Sequence, residues 1–189
     1  LTLFSKAYIL GIGNKKPPEQ AGKFHLGGNF LKVIICDDYK SQSAAGADII
    51  EKIVREKPDC CLGLATGSSP VGMYQELARR CREEGLDFSK VHTVNLDEYI
   101  GLEPTHDQSY RYFMDSNLFD HINIDKKNTY VAKGTGDIDA NIAEFQAVIA
   151  NSCVELQVLG VGPDGHLAFN EPGKELYWHA HKEVLDEST

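Results

Sequence analysis

Strand-like runs that alternate with amphipathic stretches constrain the fold of this chain more tightly than any other feature. Residues 31–36, 60–64, 91–96, 128–132 and 154–159 are short runs bounded by turn residues, and this predicts buried strands. Between them, residues 41–57, 71–84, 108–119 and 139–149 carry apolar side chains at helical spacing, such as Ile49, Ile50, Ile53 and Val54 in the first and Met73, Leu77 and Cys81 in the second. Ser69 suits the N-cap of the second helix, Pro70 its first position and Gly85 its stop. The alternation predicts an α/β fold: a three-layer α/β/α arrangement around a mostly parallel, Rossmann-like sheet. Residues 1–30 lack periodicity and mix breakers with charges, as in Asn14-Lys15-Lys16-Pro17-Pro18-Glu19-Gln20, so they are read as a poorly ordered extension to a domain spanning residues 31–189.

In a parallel sheet, ligands gather at the carboxyl ends of the strands. Three polar segments follow predicted strands and so crowd that edge: Thr66-Gly67-Ser68-Ser69, Asp97-Glu98-Tyr99, and the stretch from Asp164 through His166 to Glu171. The last gathers three titratable groups into one glycine-bent segment. Its Gly160, Gly162 and Gly165 also spell the dinucleotide fingerprint, but that motif needs a helix opening at the third glycine with free N–H groups. Pro163 removes one N–H and Pro172-Gly173 would end such a helix within about two turns, so a nicotinamide cofactor is not expected.

Each segment has two readings. Thr66, Gly67, Ser68 and Ser69 at a helix start offer N–H groups, hydroxyls and the positive end of a helix dipole, a seat for phosphate, or they form an ordinary capped loop. Asp97 is a general base at the rim, with Glu98 orienting it or facing away, or the pair is a solvated acidic turn. His166 is a proton shuttle oriented by a neighbouring carboxylate, or it follows an Asp-Gly turn into water. The His179 and His181 pair lacks partners at ligand spacing, so no metal site is expected.

Composition narrows the partners. A formal charge of −9, from 19 basic and 28 acidic residues, with no basic cluster, argues against nucleic acid. The 189 residues, 42% of them hydrophobic, suffice for one domain with a sizeable core. Five scattered cysteines fit a reduced, cytoplasmic setting. No apolar run reaches the roughly eighteen residues of a membrane span, and the first thirteen residues lack the character of a signal peptide.

Taken together, Leu64-Ala65-Thr66-Gly67-Ser68-Ser69-Pro70, Asn95-Leu96-Asp97-Glu98-Tyr99-Ile100-Gly101-Leu102, His106-Asp107-Gln108-Ser109-Tyr110, Phe119-Asp120-His121 and the segment from Gly160 to Pro172 make the chain resemble the glucosamine-6-phosphate deaminase (isomerase) family. The resemblance implies conversion of glucosamine 6-phosphate and water to fructose 6-phosphate and ammonium in amino-sugar catabolism. It implies neither cofactor nor required metal, and a cytoplasmic homo-oligomer. It assigns ring opening to His166, with Asp164 and Glu171 setting its charge and tautomer, C2–C1 proton transfer to Asp97, and phosphate contacts to Thr66, Gly67, Ser68 and Ser69. The alternatives are a 6-phosphogluconolactonase-like hydrolase, which shares the Asp-Gly-His turn, and a non-catalytic domain that binds sugar phosphates. Beyond Gly173 the sequence departs from the family: Lys174-Glu175-Leu176-Tyr177-Trp178-His179-Ala180-His181 stands where a Ser- and Arg-containing segment is expected. The expectation is therefore a domain incomplete at its C-terminus and weakly active.

Overall fold

From residue 39 onward, strand and helix alternate in the computed structural model, which describes residues 7–12, 23–26, 29–162, 165–170, 173 and 179–185. Among the described residues, seven strands and four α-helices are formed in the order β1 (Ala7–Ile12), β2 (Lys23–Leu26), β3 (Asn29–Cys36), α1 (Tyr39–Glu56), β4 (Cys61–Leu64), α2 (Val71–Glu84), β5 (His92–Asn95), α3 (Tyr110–Asn117), β6 (Thr129–Tyr130), α4 (Ile138–Asn151) and β7 (Val154–Gln157). The main sheet has the order β6-β5-β4-β7, and all its pairings are parallel. The loops after β4, β5 and β7 therefore leave from one end of the sheet.

The strand predicted at residues 31–36 forms, but it does not join this sheet. β3 pairs with β1 in parallel and with β2 antiparallel, and with a neighbour on each side it has no free edge left for β4. Two segments of the first thirty residues thus have strand backbone.

The helices follow their sequence signals with local shifts. α1 starts two residues earlier than its apolar stripe suggests, because Asp38 and Ser41 form a reciprocal capping box in which Asp38 accepts the Ser41 N–H at 2.7 Å. α2 stops at Gly85, whose φ of 68° lies in the left-handed region that glycine enters without strain. The expected Ser69 cap is not the one used. Pro70 holds the cap position, with helical φ and ψ of −82° and −9°, so Ser69 falls one residue too early. The Gly72 N–H instead donates to the Tyr39 hydroxyl at 2.8 Å. α3 opens at Ser109, whose fully buried hydroxyl accepts the Tyr112 N–H at 3.0 Å. The end of the predicted third helix becomes a tight 3-10 turn at Phe119–His121.

The core forms where these elements meet. Leu62 and Leu64 of β4 pack with Ile50 and Val54 of α1, Tyr74 and Leu77 of α2, and Leu86, Phe88, Met114 and Phe119, all at most 2% exposed. Each such side chain contributes roughly 1.5–3 kcal/mol. One cation lies among them. Arg80, only 8% exposed, binds Glu51 at 2.6 Å and Asp48 at 2.7 Å on α1 and Glu76 at 2.9 Å on α2, which satisfies a buried charge from several sides. The Arg79 guanidinium first, and Arg80 after it, hold the Glu76 carboxyl at about 2, down from 4.5. The Glu76 contribution is therefore complete above pH 4.5 and is lost as pH falls towards about 2. Arg80→Ala should lower the unfolding free energy by about 3 kcal/mol in urea melts at pH 7, and the deficit should shrink in melts run progressively below pH 4.5.

Candidate active site

The site is built outward from paired strand ends. Leu64 of β4 lies level with Asn95 of β5, and the wholly buried Asn95 amide donates to the Leu64 carbonyl at 3.0 Å. Beyond this tie the chain turns into Thr66 on one side and Asp97 on the other.

Asp97 and Glu98 are adjacent carboxylates in different surroundings. Glu98 turns to the start of α3 and accepts the N–H groups of Tyr99 at 2.8 Å, Tyr110 at 2.9 Å and Arg111 at 3.1 Å. Glu98 thus fastens the loop after β5 to α3. Asp97 is half-buried. Desolvation pushes its carboxyl up from 3.8 to about 7, the Glu98 charge adds to the rise, and the His166 charge opposes it. A carboxyl titrating near neutrality both takes up and returns a proton.

His166 follows β7 in a compact turn. Gly162 donates its N–H to the His166 carbonyl and accepts that of Gly165, each at 3.0 Å. Gly162 lies directly against the imidazole, where a methyl group would overlap the ring. Leu167 and Asn170 exchange backbone hydrogen bonds at 3.3 and 3.0 Å, with Ala168 between them at a left-handed φ of 53°. This second turn carries Phe169 against Tyr99 and Tyr110, with ring centroids 4.8 and 5.3 Å away, while Tyr99 and Tyr110 lie 5.1 Å apart.

The three rings join the segments after β5 and β7 to α3, and Tyr110 extends the link to the loop after β4. Burial first, and then the Tyr99 hydroxyl, push its phenol far above the usual range, whereas the Thr66 hydroxyl pulls it down and the Asp97 charge adds to the rise. In the sequence, Tyr110 stands out only as the end of the His106-Asp107-Gln108-Ser109-Tyr110 segment that carries the family resemblance. Its signal was a tyrosine in the first turn of a helix whose start is tied to the residue beside Asp97.

Thr66, Asp97 and His166 are therefore neighbours. Gly67, with φ of 89°, Ser68 and Ser69 are exposed. Asp164 and Glu171 lie outside the described residues. Asp97 lines a cavity of about 450 Å³ with Phe169, Asn170 and α4 residues Asn141 and Phe145. Ser68 and Ser69 line a shallower one of about 660 Å³ with Tyr39, Gln42 and Val71. Tyr110 interacts with both Thr66 and Asp97. Among the described residues, no group of three His, Cys, Asp or Glu side chains is arranged to hold a metal, and no helix is long and apolar enough to cross a membrane.

The fold and this rim define a class. Residues 40–186 match the family described as glucosamine-6-phosphate isomerases/6-phosphogluconolactonase, and the chain belongs to that family. Glucosamine-6-phosphate deaminases of Clostridium perfringens and Clostridium tetani are each 47% identical to it over 161 residues, which is 84% of this chain and 66% and 67% of theirs. The chain thus spans about two thirds of the length of these relatives. A solved monomeric glucosamine-6-phosphate deaminase superposes with a TM-score of 0.80 at 36% identity, covering 83% of this chain and 66% of that one. A 6-phosphogluconolactonase from Thermotoga maritima shares the fold, with a TM-score of 0.61 at 20% identity over 87% of this chain and 65% of its own.

Two outcomes test this geometry. The Asp97 carboxyl carbon should titrate with a midpoint near 7 by NMR, and His166→Gln, which removes the opposing positive charge, should raise that midpoint. Gly162→Ala should displace the imidazole, shifting the His166 ring resonances and raising the Asp97 midpoint while the circular dichroism spectrum stays unchanged.

Proposed function

We propose that the chain carries the acid–base machinery of a glucosamine-6-phosphate deaminase, which converts glucosamine 6-phosphate and water to fructose 6-phosphate and ammonium. The observation that carries this reading is the half-buried Asp97, its carboxyl raised to about 7 close to His166. Aldose–ketose isomerisation asks one group to take a proton from C2 and return it to C1, and such a group works best when its pKa lies near the operating pH.

In the proposed sequence, His166 moves a proton to the ring oxygen and the pyranose opens, with Asp164 and Glu171 setting the charge and tautomer of the imidazole. Asp97 then takes the C2 proton, and its delivery to C1 leaves C2 as the electrophilic carbon bearing nitrogen. Water adds at C2, the C2–N bond breaks, and the nitrogen leaves as ammonium. Thr66, Gly67, Ser68 and Ser69 receive the phosphate at the start of the fourteen-residue α2, where hydroxyls, the N–H groups of the turn and the helix dipole favour an anion. The partner proposed is a small sugar phosphate, with neither nucleic acid nor membrane, and five free cysteines suit the cytoplasm. The implied homo-oligomer is a question for light scattering, because the relative with the TM-score of 0.80 is described as monomeric.

The lactonase reading rests on fold likeness, and lactone hydrolysis has no step that requires a carboxyl to carry a proton between two carbons. The decisive experiment compares ammonium and fructose 6-phosphate formation from glucosamine 6-phosphate with hydrolysis of 6-phosphogluconolactone, on the same preparation. Turnover of the amino sugar is expected, with Asp97→Asn lowering it by about 10²–10⁴-fold while ligand binding persists. Lactone hydrolysis without ammonium release would replace the reading with its competitor, and binding without turnover of either compound would favour a non-catalytic domain.

A further inference from the structure

Tyr39, the first residue of α1, lies far in sequence from every segment singled out for chemistry, yet its hydroxyl is bonded to the turn after β4 at three points. It accepts the Gly72 N–H at 2.8 Å and faces the carbonyl oxygens of Ser68 at 3.0 Å and Ser69 at 3.2 Å. One phenolic proton is thus shared between two carbonyls, while the oxygen caps the start of α2 in place of the missing serine cap. The contact is close: a side chain at Gly72 would meet the Tyr39 ring edge and the Ser43 hydroxyl.

This has a directional consequence. The peptide between Ser68 and Ser69 is planar and trans, so a carbonyl held towards Tyr39 points the Ser69 N–H to the opposite side. Among the described residues, the N–H groups of Gly67, Ser68 and Ser69 donate to no acceptor. We infer that Tyr39 is a positioning residue for phosphate-ester binding: by holding the Ser68 carbonyl on its own face, it presents the Ser69 N–H to the anion on the opposite face of the turn, and its bond to the Ser69 carbonyl, which precedes Pro70 and so directs no N–H, steadies the same bend. This rests on the proposed function, in which that turn receives the phosphate.

The test is Tyr39→Phe in the 189-residue chain, which keeps the ring and removes only the hydroxyl. Dissociation constants for inorganic phosphate and glucosamine 6-phosphate are measured by calorimetry, with KM, kcat and the melting temperature alongside. Both dissociation constants and KM should rise about tenfold, the loss of roughly one net hydrogen bond, with kcat within about twofold of the parent because the hydroxyl acts only on binding. Gly72→Ala, which pushes the ring aside, should give the same pattern. Unchanged phosphate affinity in both variants, with or without a lower melting temperature, would leave Tyr39 a structural cap and overturn the inference while sparing the proposed function. Failure of the parent chain to bind either ligand would remove the function reading and the inference together.

Discussion

A single side-chain amide fixes where everything else can stand. Asn95 is wholly buried at the last residue of β5, and its bond to the Leu64 carbonyl ties the ends of two parallel strands at the same level. A buried donor is tolerated when it is bonded, and the Asn95 Nδ2 bond lies where the backbone ladder ends, while the buried Oδ1 finds no partner among the described residues. The loops that follow begin from one height, so Thr66 and Asp97 become neighbours despite being far apart in the chain. Without that level start, the Tyr110 bridge between them would have nothing constant to span.

Two adjacent carboxylates show how local environment divides labour. Glu98 receives three backbone N–H groups at a helix start and serves as an anchor. Asp97 faces a cavity with no such donors and is drawn towards neutrality. Like carboxyls with unlike surroundings are the usual mark of an acid–base site. The anchor also helps its neighbour chemically, since the Glu98 charge raises the Asp97 carboxyl further.

The alternation of strand and helix was legible from residue 31 onward, because apolar spacing and punctuation such as Gly85 act within a few residues. What the sequence hid was set by distant partners. Ser69 looked like a cap, but the phenol of Tyr39 reached the helix start first. The run around Val33 read correctly as a strand, although nothing local showed that β1 and β2 would occupy both its edges. Asp97 and His166 stood out as candidates by residue type and position after strands. The aromatic contact of Tyr99, Tyr110 and Phe169 arises from two loops and a helix start meeting in space and leaves no local periodicity to read.

The main sheet is unevenly covered. The last three residues of β4 and of β5 are buried, whereas every residue of β7 is only half-buried and α4 has no fully buried residue. Amide exchange grades with such burial, because thinly packed units open locally at a fraction of the global cost. The carboxylate therefore follows a deeply packed strand and the imidazole a thinly covered one, so the spacing between them depends on how firmly β7 is held to β4.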